Sequence, residues 1–361
     1  MAEPYLYTAA EQHGPIKEVW AKATPATGST WADLYAKVQS ALQYHEVDIV
    51  SQQVFIPAGQ QKDERQAFTD TFSSSDWPVT RVASRDAGLL GGTHIRAASG
   101  AEIQPVEAEG RVAGNILKDE AGQYCRLEGI IPSNTKQSPA EQAREVFEQI
   151  DKLLQQAGMS YDNVVRTWFY LDDILNWYEE FNTIRYDFQR EKGLSEPLPA
   201  STAVGGANPD GSAIVAGALA FQPKDSGAKI QAIDSPLQGP ATDDDSSFSR
   251  ALLLKTTDYK KLWVSGTAAI DQQGRTIYEH DLSGQLNRIV QTVQSILEAQ
   301  DMEWFNVTQA TAYFKNAADV GIIRESQFKR VFQFMPLVVS SNTLCRDDLT
   351  FELELEAYCE R

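Results

Sequence analysis

The sequence predicts an α+β fold: three ββαβαββ units in one chain, their sheets packed into a pseudo-trimeric β-barrel core with the helices outside. Two observations carry this. The same order of segments, helix–strand–helix–strand–strand, recurs three times along 361 residues. The last two copies also share residues in register, Asn163-Val164 with Asn306-Val307 and Tyr170 with Tyr313. The units fall at residues 1–104, 105–222 and 223–361. Such a repeat is far longer than the roughly 20–50 residues of a solenoid repeat. A unit of this kind covers one sheet face with its two helices, and the other face must bury against something. Two sister units are available, which gives a three-fold arrangement within one chain.

Each element has a local reason. In the first unit, 31–44 and 62–72 read as helices, and 47–56, 78–84 and 89–97 as strands. In the second, Ser138 caps a helix over 138–158, with Pro139 at its first position. Glu141 completes a capping box, and Gly158 stops the helix. Phe147, Ile150, Leu153 and Leu154 form its apolar stripe. Residues 163–171 are β-branched and aromatic and read as a strand. A helix over 175–192 ends before Gly193, and 199–205 and 212–221 read as strands around a turn at 208–211. The third unit opens with a hairpin, 251–255 and 262–269. A helix follows at 284–299, with Leu286, Ile289, Val293, Ile296 and Leu297 at helical spacing. Then come a strand at 306–314, a helix at 317–332 and strands at 335–342 and 349–358. The polar runs 223–227 and 235–247, the latter with Asp243-Asp244-Asp245, read as solvated loops.

Composition limits the function. Hydrophobic residues are 42% and charged residues 23%, enough for a folded core. Fifty acidic against 32 basic residues give a net charge of −18. That field repels nucleic acid and anionic membranes, so neither is an expected partner. An anionic ligand must then be recruited by local arginines. No apolar run reaches the ~18–20 residues of a membrane helix. The start, Met1-Ala2-Glu3-Pro4-Tyr5, has no secretory apolar region. Cys125, Cys345 and Cys359 are too scattered for a disulfide framework. His13, His45, His94 and His280 are isolated, and no Cys/His pair has zinc spacing. The expectation is a soluble cytoplasmic protein without metal or cofactor, monomeric as a pseudo-trimer or homodimeric.

Four motifs resemble the YjgF/RidA superfamily: Ser138-Pro-Ala-Glu-Gln142, Pro199-Ala-Ser-Thr-Ala-Val204, Val264-Ser-Gly-Thr267 and Phe351-Glu-Leu-Glu354. Its members are homotrimers of one such chorismate-mutase-like unit, with clefts between subunits. Three fused units are most similar to the chorismatase family. The shared segments are Arg166-Thr-Trp-Phe-Tyr170, Phe248-Ser-Arg250-Ala251, Asp281-Leu-Ser-Gly284-Gln285 and Cys345-Arg-Asp-Asp-Leu349, followed by Glu352. Residues 186–192 depart from the Tyr-Arg…Cys…Arg pattern of chorismatases. The resemblance implies an enzyme that protonates the enolpyruvyl ether of chorismate or a close analogue and releases pyruvate. One alternative is an imine or enamine deaminase of RidA type, which needs a carboxylate-binding arginine such as Arg81. Another is a small-molecule binder without catalysis.

The candidate site follows. Period-two alternation puts Glu352, Glu354 and Glu356 on one strand face and Phe351, Leu353 and Leu355 on the other. Glu352 matches the family's proton-handling carboxylate; Glu356 reads as solvated, and Glu354 as nearer to solvent than Glu352. A carboxyl in an apolar cleft keeps its proton near neutral pH. The equivalent stretches 213–218 and 91–95 carry no acid, so one working cleft is expected, with units 1 and 2 as walls. By resemblance, Cys345 marks the 3-hydroxybenzoate-forming type. Arginine binds carboxylates bidentately, which nominates Arg250 and Arg166 for the substrate. Ser201 stands in the Pro-Ala-Ser-Thr motif where RidA carries its arginine. Gly266 and Thr267 match a step whose backbone N–H groups contact ligand, and a strand glycine permits close approach. Tyr170 completes the substrate-binding set. Ser283 reads as the cap of the helix that follows Asp281.

Overall fold

The inner faces of three sheets meet, and the helices lie outside them. The computed structural model describes residues 3–84, 86, 90–208, 211–239 and 248–361. Met1, Ala2, Leu89 of the expected strand 89–97, Pro209 and Asp210 of the expected turn, and Asp243, Asp244 and Asp245 lie outside these residues.

The first sheet is built from β1 (Tyr5–His13), β2 (Ile16–Thr24), β3 (Asp48–Ile56), β4 (Val79–Ala83) and β5 (Gly92–Ser99), with α1 (Trp31–His45) and α2 (Gln61–Phe72). The second comprises β6 (Ile103–Ala108), β7 (Arg111–Lys118), β8 (Gly122–Ile130), β9 (Val164–Leu171), β10 (Ala200–Gly205) and β11 (Ile214–Pro223), with α3 (Pro139–Gln156) and α4 (Tyr178–Lys192). The third comprises β12 (Lys229–Ile233), β13 (Ala251–Lys255), β14 (Tyr259–Thr267), β15 (Val307–Phe314), β16 (Leu337–Ser341) and β17 (Phe351–Glu360). Its helices are α5 (Leu282–Glu298), α6 (Ile322–Glu325) and α7 (Lys329–Phe334). Strand orders are β1-β2-β5-β3-β4, β10-β9-β11-β8-β7-β6 and β12-β13-β14-β17-β15-β16.

The capping box at α3 forms as its spacing predicts, Ser138 accepting from the Glu141 N–H. Three expectations need correction. The strands read around the 208–211 turn do not pair with each other. Helix α4 is a crossover connection, so β10 runs parallel to β9, and β11 lies on the other side of β9. The expected helix 317–332 is broken, because Ser326 takes an extended conformation between α6 and α7. Asp281, not Ser283, caps α5, accepting from the Gly284 N–H.

Each sheet packs its outer face on its own helices: Leu34 and Val38 on Val54 and Ile95, Phe147 and Ile150 on Phe169, and Ile289 and Val293 on Leu353. A fourth cluster draws on all three sheets, with Trp20, Phe55, Trp168, Tyr170, Trp263 and Tyr313. Phe55, Tyr170 and Tyr313 stand at matching positions. Across the ladder they face Gly92, Val215 and Glu352 respectively. The ring of Phe55 lies 6.2 Å from those of both Tyr170 and Tyr313. Among the described residues, the three sheets are separate ladders of five, six and six strands. The hydrogen-bonded ladders end at each sheet; the single bridges Ala83–Ala207 and Ala200–Ser249, and the Gly205 N–H donating to the Thr343 carbonyl at 2.7 Å, are backbone links between the units.

Charges also cross these interfaces. Glu18 takes Arg96 at 2.7 Å and Lys261 at 2.6 Å. Arg126 takes Glu128 at 2.7 Å and Glu356 at 3.1 Å. All six side chains are buried. Burial alone would raise the pKa of Glu18, but Lys261 and Arg96 hold it well below the usual carboxylate range. Glu356 is therefore not the solvated residue that its alternation suggested; it is buried between Arg126 and Arg96.

Candidate active site

A cleft of about 1440 Å³ opens between the second and third sheets. One wall is α4, which presents Tyr178, Asn182, Arg185 and Gln189. Ser201 and Ala203 of β10 extend that wall. The opposite wall holds Phe248, Arg250, Gly266, Cys345, Arg346 and Glu352. Among the described residues, no lining residue comes from the first unit, so the expected role of unit 1 as a wall is corrected to units 2 and 3 alone for these residues.

Glu352 is 4% exposed. Burial pushes its pKa up to about 8, the Glu354 carboxylate adds to this, and Arg166 opposes it. At neutral pH the group is a carboxylic acid, able to donate a proton. Gly266 makes room for it. Between Val264 and Thr267, β14 bulges opposite β17, and a β-carbon at Gly266 would lie 2.0 Å from Oε1 of Glu352. Bulges of this kind re-aim side chains. A second bulge has the same form: β8 shifts register against β11 around Glu128 and Gly129. The Gly129 N–H donates to Thr80 Oγ1 at 2.7 Å, as the Gly266 N–H donates to Thr202 Oγ1 at 2.9 Å. There the residue that faces the central strand is Val215, which has no proton to give.

Cys345 lines the cleft beside Glu352. Burial and the Glu352 charge push its pKa up to about 12, with Arg346 and the Tyr178 hydroxyl opposing. It is a neutral thiol at neutral pH, not a ready thiolate. Arg250 reaches the cleft from just before β13; its Nε donates to the Gly239 carbonyl at 3.1 Å, and its guanidinium lies over Phe248. Ser201 accepts from Thr167 Oγ1 at 2.9 Å and lies 3.4 Å from Arg185 Nη1.

Arg166, Tyr170 and Thr267 do not line the cleft. Arg166 is buried behind it in an ion pair with Glu354. Tyr170 packs in the central aromatic cluster. Thr267 donates to the Ser265 carbonyl at 2.9 Å within its own strand. Alternation places residues on one face but does not tell how deep along the strand the cleft ends. Glu354, expected nearer to solvent, is 3% exposed.

The sequence reading missed Arg185. Its guanidinium is buried, donates to Asn182 Oδ1 at 2.9 Å and lies over Phe181 and Phe248. Among the described residues no carboxylate pairs with it, and its Nε has no hydrogen-bond partner. Burial lowers its pKa, with Tyr178 and Tyr161 opposing. A buried cation without a counter-charge in a cleft is suited to an incoming anion. The signal was present in α4, where Tyr178, Asn182, Arg185 and Gln189 follow at i, i+4, i+7 and i+11.

The family model described as endoribonuclease L-PSP matches residues 120–224 and 246–359. No curated protein sequence matches the chain. A solved chorismatase is similar over 99% of this chain and 99% of its own, with TM-score 0.63 and 16% identity. The YjgF gene product from E. coli is 25% identical with TM-score 0.28, over 33% of this chain and 92% of its own. E. coli TdcF with bound serine is 21% identical with TM-score 0.28, over 33% and 92%. The two matched segments cover more than half of the sequence, and the chain belongs to the endoribonuclease L-PSP family, the YjgF/RidA superfamily, with a fold similar over its whole length to that of a chorismatase.

Proposed function

We propose that this cleft cleaves the enolpyruvyl ether of chorismate or a close analogue, with Glu352 as the general acid. The observation that carries the reading is a buried carboxyl, protonated at neutral pH, in one cleft with the uncompensated Arg185. Arg185 and Arg250 would hold the substrate's carboxylates. Glu352 would give its proton to the vinyl methylene, leaving an oxocarbenium ion at the ether carbon. Water attack then yields pyruvate and a dihydroxy-cyclohexadiene acid. Rearrangement on the ring instead yields pyruvate and 3-hydroxybenzoate with no net water. Cys345 favours the second outcome by family resemblance, acting as a neutral thiol. No step needs a metal or an organic cofactor.

The deaminase alternative relied on Arg81. That residue pairs with Glu64 at 2.9 Å in the first unit and does not line the cleft. The test is to incubate the purified protein with chorismate, assay pyruvate, and separate the ring products by chromatography. Pyruvate together with 3-hydroxybenzoate is expected. No pyruvate at high enzyme concentration overturns the reading.

A further inference from the structure

Strand β17 carries three carboxyl groups on one face, and the structure treats each differently. Glu356 has Arg126 and Arg96. Glu354 has Arg166, the Thr202 hydroxyl and the Tyr313 hydroxyl, the last at 2.8 Å. Glu352 has neither a cation nor a hydrogen-bond donor among the described residues. Arg166 in turn meets Glu354 and Thr202 through Nη2, while its Nε and Nη1 have no hydrogen-bond partner among the described residues. The cleft wall at Glu352 and the buried layer behind it thus hold two acids and one base. In a low-dielectric site such a trio is neutral only if one acid keeps its proton.

We propose that Glu354 is a positioning residue which, by taking Arg166, Thr202 and Tyr313 for itself, makes Glu352 the carboxyl that keeps the proton. Thr202 also ties this arrangement to the cleft. Its hydroxyl bridges Glu354 and the Gly266 N–H, and Gly266 is the residue against which Glu352 lies. The other groups around the pair do not replace Arg166. Cys345 and Tyr178 face Glu352 from the cleft as neutral acids. Tyr170 and Tyr313 face Glu354 and stay neutral. His94, 3.4 Å from Thr311, is held neutral by burial, so it brings no charge.

The consequence for catalysis rests on the reading of Glu352 as the acid; the protonation itself does not. Infrared spectroscopy of the substrate-free protein over a pH series reads the carboxylic C=O band, and Glu352→Gln assigns it. In the wild-type protein the band should persist through neutral pH. In Glu354→Gln, Arg166 loses its ion-pair partner; Glu356, which also acts on it, is already held by Arg126 and Arg96, so the charge of Arg166 bears more strongly on Glu352 and the midpoint should fall by about one pH unit or more. Activity should then drop at neutral pH and recover on acidification, with KM unmoved. A merely structural residue would lower activity by one factor at every pH. If Glu354→Gln does not fold, Tyr313→Phe weakens the hold on Glu354 and should shift the band the same way by less. A wild-type Glu352 already ionised at neutral pH, or a midpoint unmoved in the folded variants, overturns the proposal. A shifted midpoint without pyruvate release supports it and removes the chorismate reading instead.

Discussion

At the scale of single residues, Glu352 combines burial with a neighbouring negative charge. Its pKa of about 8 stands above the ordinary 4.5. Between those two values the folded protein holds a proton that the unfolded chain releases. The contribution of this group to stability therefore falls as pH rises through that window and is flat above it. Glu352→Gln removes the dependence. Denaturant melts should find the variant more stable than wild type at about pH 9, with the advantage shrinking towards about pH 5. An equal gap at both ends would mean that the carboxyl is not protonated in the fold. Gly266→Ala probes the same atom from the other side. Its methyl would displace Oε1, so turnover should drop by roughly 10²-fold or more, as when an acid–base group is removed. Near-normal turnover would place the working carboxyl elsewhere.

At the scale of elements, α4 and β17 make the site, and they were not equally legible. The face of β17 with Glu352 follows from period two, and its resemblance to the family pointed to the acid. The same alternation misled for Glu354 and Glu356. A strand pattern reports sidedness, while their burial depends on Arg166, Arg126 and Arg96 arriving from other sheets. Helix α4 was read as a helix, yet its cleft-facing stripe went unrecognised, because a polar helix face is ordinarily solvated. Only packing against β10 and Phe248 turns Arg185 inward. Arg185→Met should raise KM about 30-fold or more, since losing one partner of a buried charge pair costs about 2 kcal/mol or more. Its melting temperature should hold or rise, because an unpaired buried cation is removed. A lower melting temperature with unchanged KM would assign Arg185 to the fold alone.

At the scale of the whole molecule, three units share one central cluster that mixes Trp20, Trp168 and Trp263 with buried ion pairs between sheets. The inner face of each sheet is already covered within the chain. Light scattering should give the mass of one chain, or of two joined through an outer surface; an obligate homotrimer would contradict this. The repeat order was legible because each unit restates the same succession of helical and strand periods. The way the sheet edges meet was not, because it depends on backbone pairing between edges that no periodicity reports. Of three comparable positions on the central strands, two hold Gly92 and Val215 and one holds Glu352. One working cleft per chain follows. The rate of pyruvate release from chorismate, compared between wild type and folded Glu352→Gln, tests this most directly. A loss of about 10²–10⁴-fold in the variant with KM little changed is expected; release at the wild-type rate from Glu352→Gln would mean that Glu352 is not the proton donor.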